Sequence, residues 1–132
     1  MSKELTWLGL TIGATALFCL PYVLNRIAVR GLWGMFANPS PDDTALSPWA
    51  QRAQRAHTNA VENLVLFAPI VLCATQLQRA DGLTALACAV YFWSRLAHFV
   101  VYTAGIPVAR TLAFFGGWGA TMVLAARVLG LL

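Results

Sequence analysis

Charge is scarce in this chain, and acidic charge is scarcest. Only 11% of its 132 residues are charged, and just five of these are carboxylates. A soluble domain carries roughly 25% charge, so a water-facing globule is excluded. With 59% hydrophobic residues, the chain reads as membrane-embedded. A bilayer core of about 30 Å takes about 20 apolar residues per helix, which leaves room for four spans, short connections and no soluble second domain. Cysteine is sparse too. Cys19, Cys73 and Cys88 fall one in each of the first three spans, and an odd number in apolar surroundings excludes a disulfide framework. They read as small packing hydrophobes. No small-residue cleavage site of the A-x-A kind precedes Asn25, so the first apolar stretch is expected to be a retained span. Internal repeats and low-complexity segments are also lacking.

What is present divides at its breakers. The first span is expected over about residues 5–29. Ala37-Asn38-Pro39-Ser40-Pro41-Asp42-Asp43 is a turn-rich polar linker. Ser47-Pro48 opens the next helix, with Ser47 as N-cap and Pro48 at its first position, running to about Gln78. Arg79-Ala80-Asp81-Gly82 is a tight turn whose Asp81 can cap a third helix, about 82–104. Gly105-Ile106-Pro107 then breaks the chain before a fourth, about 107–131. The predicted fold is an all-α integral membrane four-helix bundle, antiparallel and up-down. Arg26, Arg30, Arg52, Arg55 and Arg110 gather at the first and third loops, against Lys3, Arg79 and Arg127 on the other side. The excess of basic residues predicts that the Arg-rich side is cytoplasmic and both termini lie opposite.

Polar residues inside the spans define a candidate site. At about 100° per residue, Arg52, Arg55, Asn59, Glu62 and Asn63 share one face of the second helix, while His57 points elsewhere. Tyr91, Arg95, His98 and Tyr102 form a stripe on the third. Ionisable groups at membrane depth are costly and line cavities or pair with one another. Several cations therefore converge near Glu62, at the level of Arg30 and Arg110. A metal is not expected: His57 and Glu62 diverge by about 140° on a helix and cannot share a zinc ion. Arginine suits carboxylates and phosphates, so the expected ligand is a small polar anion, zwitterionic if Glu62 receives an amine. A Glu62–Arg95 pair that only fixes packing is the alternative reading. Such groups must also avoid lipid, and packing against further copies of the chain would shelter them.

Arg52-Ala-Gln-Arg55-Ala56-His57-Thr58-Asn59-Ala60-Val61-Glu62-Asn63, followed by Phe67, resembles the signature of the MAPEG superfamily, the membrane-associated proteins of eicosanoid and glutathione metabolism. Phe36-Ala37-Asn38-Pro39, Arg95-Leu-Ala-His98-x-x-x-Tyr102 and an Arg110 opening the last helix are similar to further family segments, in the same order. The resemblance covers nearly the whole chain. It implies a homotrimer that holds glutathione between subunits near the cytoplasmic face. Arg55, Asn59 and Glu62 would contact the tripeptide, and Arg30, Arg95, His98 and Tyr102 would complete the pocket, with His57 matching the motif but lying off its polar face. Arg110 would stabilise the glutathione thiolate, as a neighbouring cation does for any thiol. Thr111 could add a hydroxyl beside the sulfur.

The function so implied is a membrane-bound glutathione transferase or peroxidase. It would attack an apolar electrophile or lipid hydroperoxide, in a compact protein resembling the prokaryotic members of a bacterial inner membrane. No nucleic acid partner and no metal cofactor are expected. The other reading is a non-catalytic protein that binds lipid or a partner on the same scaffold.

Overall fold

The computed structural model describes residues 2–132 and is all-helical. In chain order the helices are α1 (Lys3–Leu17), α2 (Leu20–Phe36), α3 (Pro48–Gln76), α4 (Gly82–Ala104) and α5 (Pro107–Leu129). Four stretches are long and apolar enough to cross a membrane: Lys3–Phe36, Pro48–Gln76, Gly82–Ala104 and Pro107–Leu129.

The first stretch departs from the expected single helix over 5–29. It breaks at Phe18–Cys19 and continues to Phe36. Pro21 accounts for the break, because its ring collides with the carbonyl four residues back, at Leu17, and it offers no N–H. Gly31 interrupts α2 again at φ 72°, ψ 174°, a region open essentially to glycine alone. After the first break α2 leans chiefly on α3 and buries no residue. Its polar ties to α3 are Tyr22 to His57 (2.8 Å) and a two-way bond of the Asn25 amide with Ser47. Ser47 does sit at the N-cap of α3, but its hydroxyl accepts from Asn25 and caps nothing.

The core lies among α1, α3, α4 and α5. Phe67 stacks on Tyr91 at 3.5 Å, surrounded by Leu8, Val71, Ala87, Cys88, Ala120 and Leu124. Ala50, Ala53, Ala56 and Ala60 give α3 a buried seam of small side chains. Lipid tails are as apolar as leucine, so close contact between helices, more than escape from water, holds such a bundle together.

Three helix ends share one device. α3, α4 and α5 each finish on a left-handed residue, followed by an N–H that reaches back across the last turn to Ala74, Val101 and Ala126 respectively. Gly105 and Gly130 suit that conformation, whereas Gln78 adopts it at φ 54°. Arginines cover the exposed carbonyls. Arg52 Nε donates to Thr103 O at the end of α4, and Arg79 donates to Arg127 O and Val128 O at the end of α5. Asp81 caps α4 as its position predicts, accepting from Leu83 and Thr84 N–H while the Thr84 hydroxyl returns the bond. The Thr84 N–H, then Arg127, hold the Asp81 carboxyl below the ordinary aspartate range.

Candidate functional site

The site forms where α4 turns into α5. Gly105 ends α4, and two residues later Pro107 starts α5. That tight reversal sets Arg110, in the first turn of α5, over Tyr102, in the last turn of α4, with the guanidinium carbon 4.7 Å from the ring centre. An aromatic face attracts a cation, and the α5 N-terminus adds partial positive charge at the same place. His98 lies one turn below Tyr102, edge-on at 5.5 Å. Asn59 approaches from α3. Asn59, His98, Tyr102, Arg110, Thr111 and Phe114 line one open cavity of about 200 Å³.

The Arg110 guanidinium makes no hydrogen bond to protein among the described residues, so its donors are unspent beside the cavity it lines. The Thr111 hydroxyl is already committed to Pro107 O at 3.1 Å. Arg95 is buried and does not line the cavity. Its Nη1 donates to Asn59 Oδ1 (3.3 Å) and its Nη2 to the carbonyls of Ala113 and Phe114 (3.3 Å each). Its planar fork thereby joins α3, α4 and α5 directly behind the cavity. The arrangement can hold an anion against Arg110 and offer an amide, an imidazole and a phenol to the rest of a small polar molecule.

The MAPEG family model matches residues 5–130. The chain belongs to the MAPEG family. Microsomal glutathione S-transferase 1 of Rattus norvegicus is 38% identical over 81 residues, which cover 60% of this chain and 52% of the rat protein. The Homo sapiens and Bos taurus proteins of the same name are 36% and 38% identical over the same length. The chain thus spans about half the length of the curated relatives it matches. Together with its four apolar stretches, membership makes this MAPEG chain an integral membrane protein.

Of the residues the sequence put forward, five line the cavity: Asn59, His98, Tyr102, Arg110 and Thr111. The others stand elsewhere in this MAPEG chain. Arg55 and Glu62 are exposed on the outer side of α3, with no hydrogen bond or ion pair among the described residues. The alternative Glu62–Arg95 pair is therefore not formed, because Arg95 turns instead to an amide and two carbonyls. Arg30 is at the same end of the bundle but outside the cavity. It pairs with Asp43 (3.1 Å) and donates to Thr44 O (2.7 Å), pinning the linker to α2. His57 faces α2, where its Nδ1 meets the Tyr22 hydroxyl, in keeping with its position off the polar face.

Phe114 was not anticipated. It follows Arg110 by one helical turn, so helical spacing alone would have placed it on the same face. Glu4 was passed over as well, although it is the one buried carboxylate among the described residues, accepting from the Thr84 hydroxyl at 2.8 Å. No local pattern marks it, since its partner lies 80 residues away.

Proposed function

We propose that this MAPEG protein is a membrane-bound glutathione transferase, with glutathione seated in the Asn59–His98–Tyr102–Arg110 cavity. The observation that carries this reading is an arginine with unspent donors, at a helix N-terminus, beside three further polar groups. Those groups are an amide and two rings suited to a peptide ligand. Similarity to microsomal glutathione S-transferase 1 supports the choice of tripeptide.

A cation next to a thiol favours the thiolate. The glutathione S–H proton leaves to water, and Arg110 stabilises the sulfur anion. The sulfur lone pair then forms the C–S bond of the conjugate while the leaving group departs with its bonding electrons. Holding both reactants in place supplies much of such a rate. A lipid hydroperoxide would be reduced by the same anion. Sulfur takes the terminal oxygen, the alkoxide leaves and is protonated, and a second glutathione displaces hydroxide to give the disulfide and water.

A homotrimer completes the site in this reading. The cavity of about 200 Å³ falls below the roughly 300–1,000 Å³ of small-molecule sites. Arg55 and Glu62, exposed at membrane depth, call for cover. A neighbouring subunit bringing its α3 face to this cavity meets both needs and adds Glu62 as a carboxylate for the glutathione amine. The excess of basic residues at the site end supports a cavity that faces the cytoplasm with both termini opposite, and a bacterial inner membrane is the location proposed with it.

The test is ultraviolet difference absorbance of the glutathione thiolate on adding purified, detergent-solubilised protein near neutral pH. Wild type is expected to give the signal and Arg110→Ala to lose it. Tripeptide binding with no thiolate in the wild type would support a non-catalytic binding protein instead.

A further inference from the structure

Arg95 poses a physical problem that glutathione does not solve. It is 3% exposed at membrane depth, takes part in neither ion pair among the described residues, and leaves Nε without an acceptor. A cation so placed is costly, and residues of this kind usually face the ligand. Here the cavity is lined by others. The fold nevertheless makes a seat for the guanidinium. Gly117 is buried, and a Cβ on it would stand 2.9 Å from Arg95 Nε and 3.0 Å from Nη2. Tyr91 and Phe114 lie 5.8 and 5.5 Å from the guanidinium carbon.

A guanidinium has donors and no acceptor. The Asn59 amide can therefore meet Arg95 in one sense only, with Oδ1 inward, as found. Its Nδ2 is left for the cavity that Asn59 lines. Arg95 also holds the backbone of α5 at Ala113 and Phe114, one turn below Arg110. We infer that Arg95 is a positioning residue which fixes the sense of the Asn59 amide, so that the cavity presents a donor there, without itself touching the ligand. This rests on the glutathione reading for the identity of that ligand, and replaces the direct contact that family resemblance implied for Arg95.

A double-mutant cycle separates the two roles. Wild type, Arg95→Lys, Asn59→Ala and the double variant are purified in detergent with Gly117→Ala. Each is measured for its glutathione dissociation constant by calorimetry and for its thermal midpoint. If Arg95 acts through Asn59, each single change weakens binding by about tenfold and the double by no more than about tenfold, because coupled residues are not additive. Gly117→Ala is expected to reproduce the loss by unseating the guanidinium, although it adds nothing to the cavity. A double variant weaker by about a hundredfold, or a Gly117→Ala protein that binds like wild type, would overturn the inference. Should Arg95→Lys fail to fold, Gly117→Ala takes its place in the cycle with the same outcomes. A wild type that binds no glutathione would sink the glutathione reading alone. The Arg95–Asn59 link is then decided by the thermal midpoints, where non-additive shifts support it and additive shifts refute it.

Discussion

At the end of the bundle that carries the termini, the ionic groups around the α3–α4 turn are committed to the fold. Asp81 pairs with Arg127, Glu4 accepts from Thr84, and Arg79 covers the last carbonyls of α5. At the other end Arg30 and Arg52 are committed too, to Asp43 and to Thr103 O, but the Arg110 side chain meets only an aromatic face, and those of Arg55 and Glu62 meet nothing among the described residues. Both ends are built from the same helices with the same terminal turn. The difference lies in whether the charges have been spent on the fold. Satisfied charges rigidify and specify a packing, whereas unsatisfied ones are available to a ligand and costly until it arrives.

That contrast can be broken most directly at Arg110. Arg110→Ala is expected to lower conjugate formation by about 10²-fold, the effect of removing one donor from a developing anion, with the thermal midpoint in detergent nearly unchanged. A large drop in stability instead would mean that Arg110 also belongs to the fold. Arg79→Ala is the mirror experiment. It should cost about 1 kcal/mol of stability, as expected for a cation on the last carbonyls of a helix, and leave glutathione turnover per folded molecule as it was. Lost turnover there would show that the two ends are linked.

A change of opposite sign is expected at the α3–α4 turn. Gln78 holds a left-handed conformation that glycine adopts freely, so Gln78→Gly should raise stability by up to about 1 kcal/mol, read as a higher midpoint in the same detergent. The smallest effect is on acid sensitivity. Because the folded carboxyl of Asp81 titrates below its ordinary range, its contribution is complete above that range and is lost as the pH falls through the lowered value. Thermal midpoints measured down the acid limb should therefore fall less steeply in Asp81→Asn, since asparagine still caps α4 but does not titrate. An unchanged limb would assign acid sensitivity to the site end.

Much of the frame was legible because its signals are local. Gly105-Ile106-Pro107 announced the last turn and Asp81 its cap, since each acts on backbone within a few residues. Pro21 was harder to read. It sits in an unbroken apolar run, and hydropathy does not register a lost N–H. The arginines misled for a different reason. Arg52, Arg79 and Arg95 turn to backbone carbonyls, and a carbonyl has no letter in the sequence. Within the α3 stripe Asn59 faces the cavity, while Arg55 and Glu62 are exposed. The boundary between packed and exposed surface runs through one helical face, and helical periodicity does not say where that boundary falls.

The long first span has a consequence for how the molecule stands in lipid. At 1.5 Å per residue, α4 and α5, with 23 residues each, rise roughly 35 Å, a fair match to a hydrocarbon layer of about 30 Å. The stretch Lys3–Phe36 has 34 residues and would reach roughly 50 Å laid straight. Its height against its neighbours is fixed by three rungs: Phe18 on Phe99, Tyr22 on His57, and Asn25 on Ser47, where α3 begins. Past these rungs the break at Gly31 lets the last turn of α2 leave the line of the span, and Leu32, Trp33 and Phe36 are exposed there. Such side chains suit the boundary between lipid and water, so the surplus length of this stretch is better accommodated by bending along that boundary than by standing clear of it.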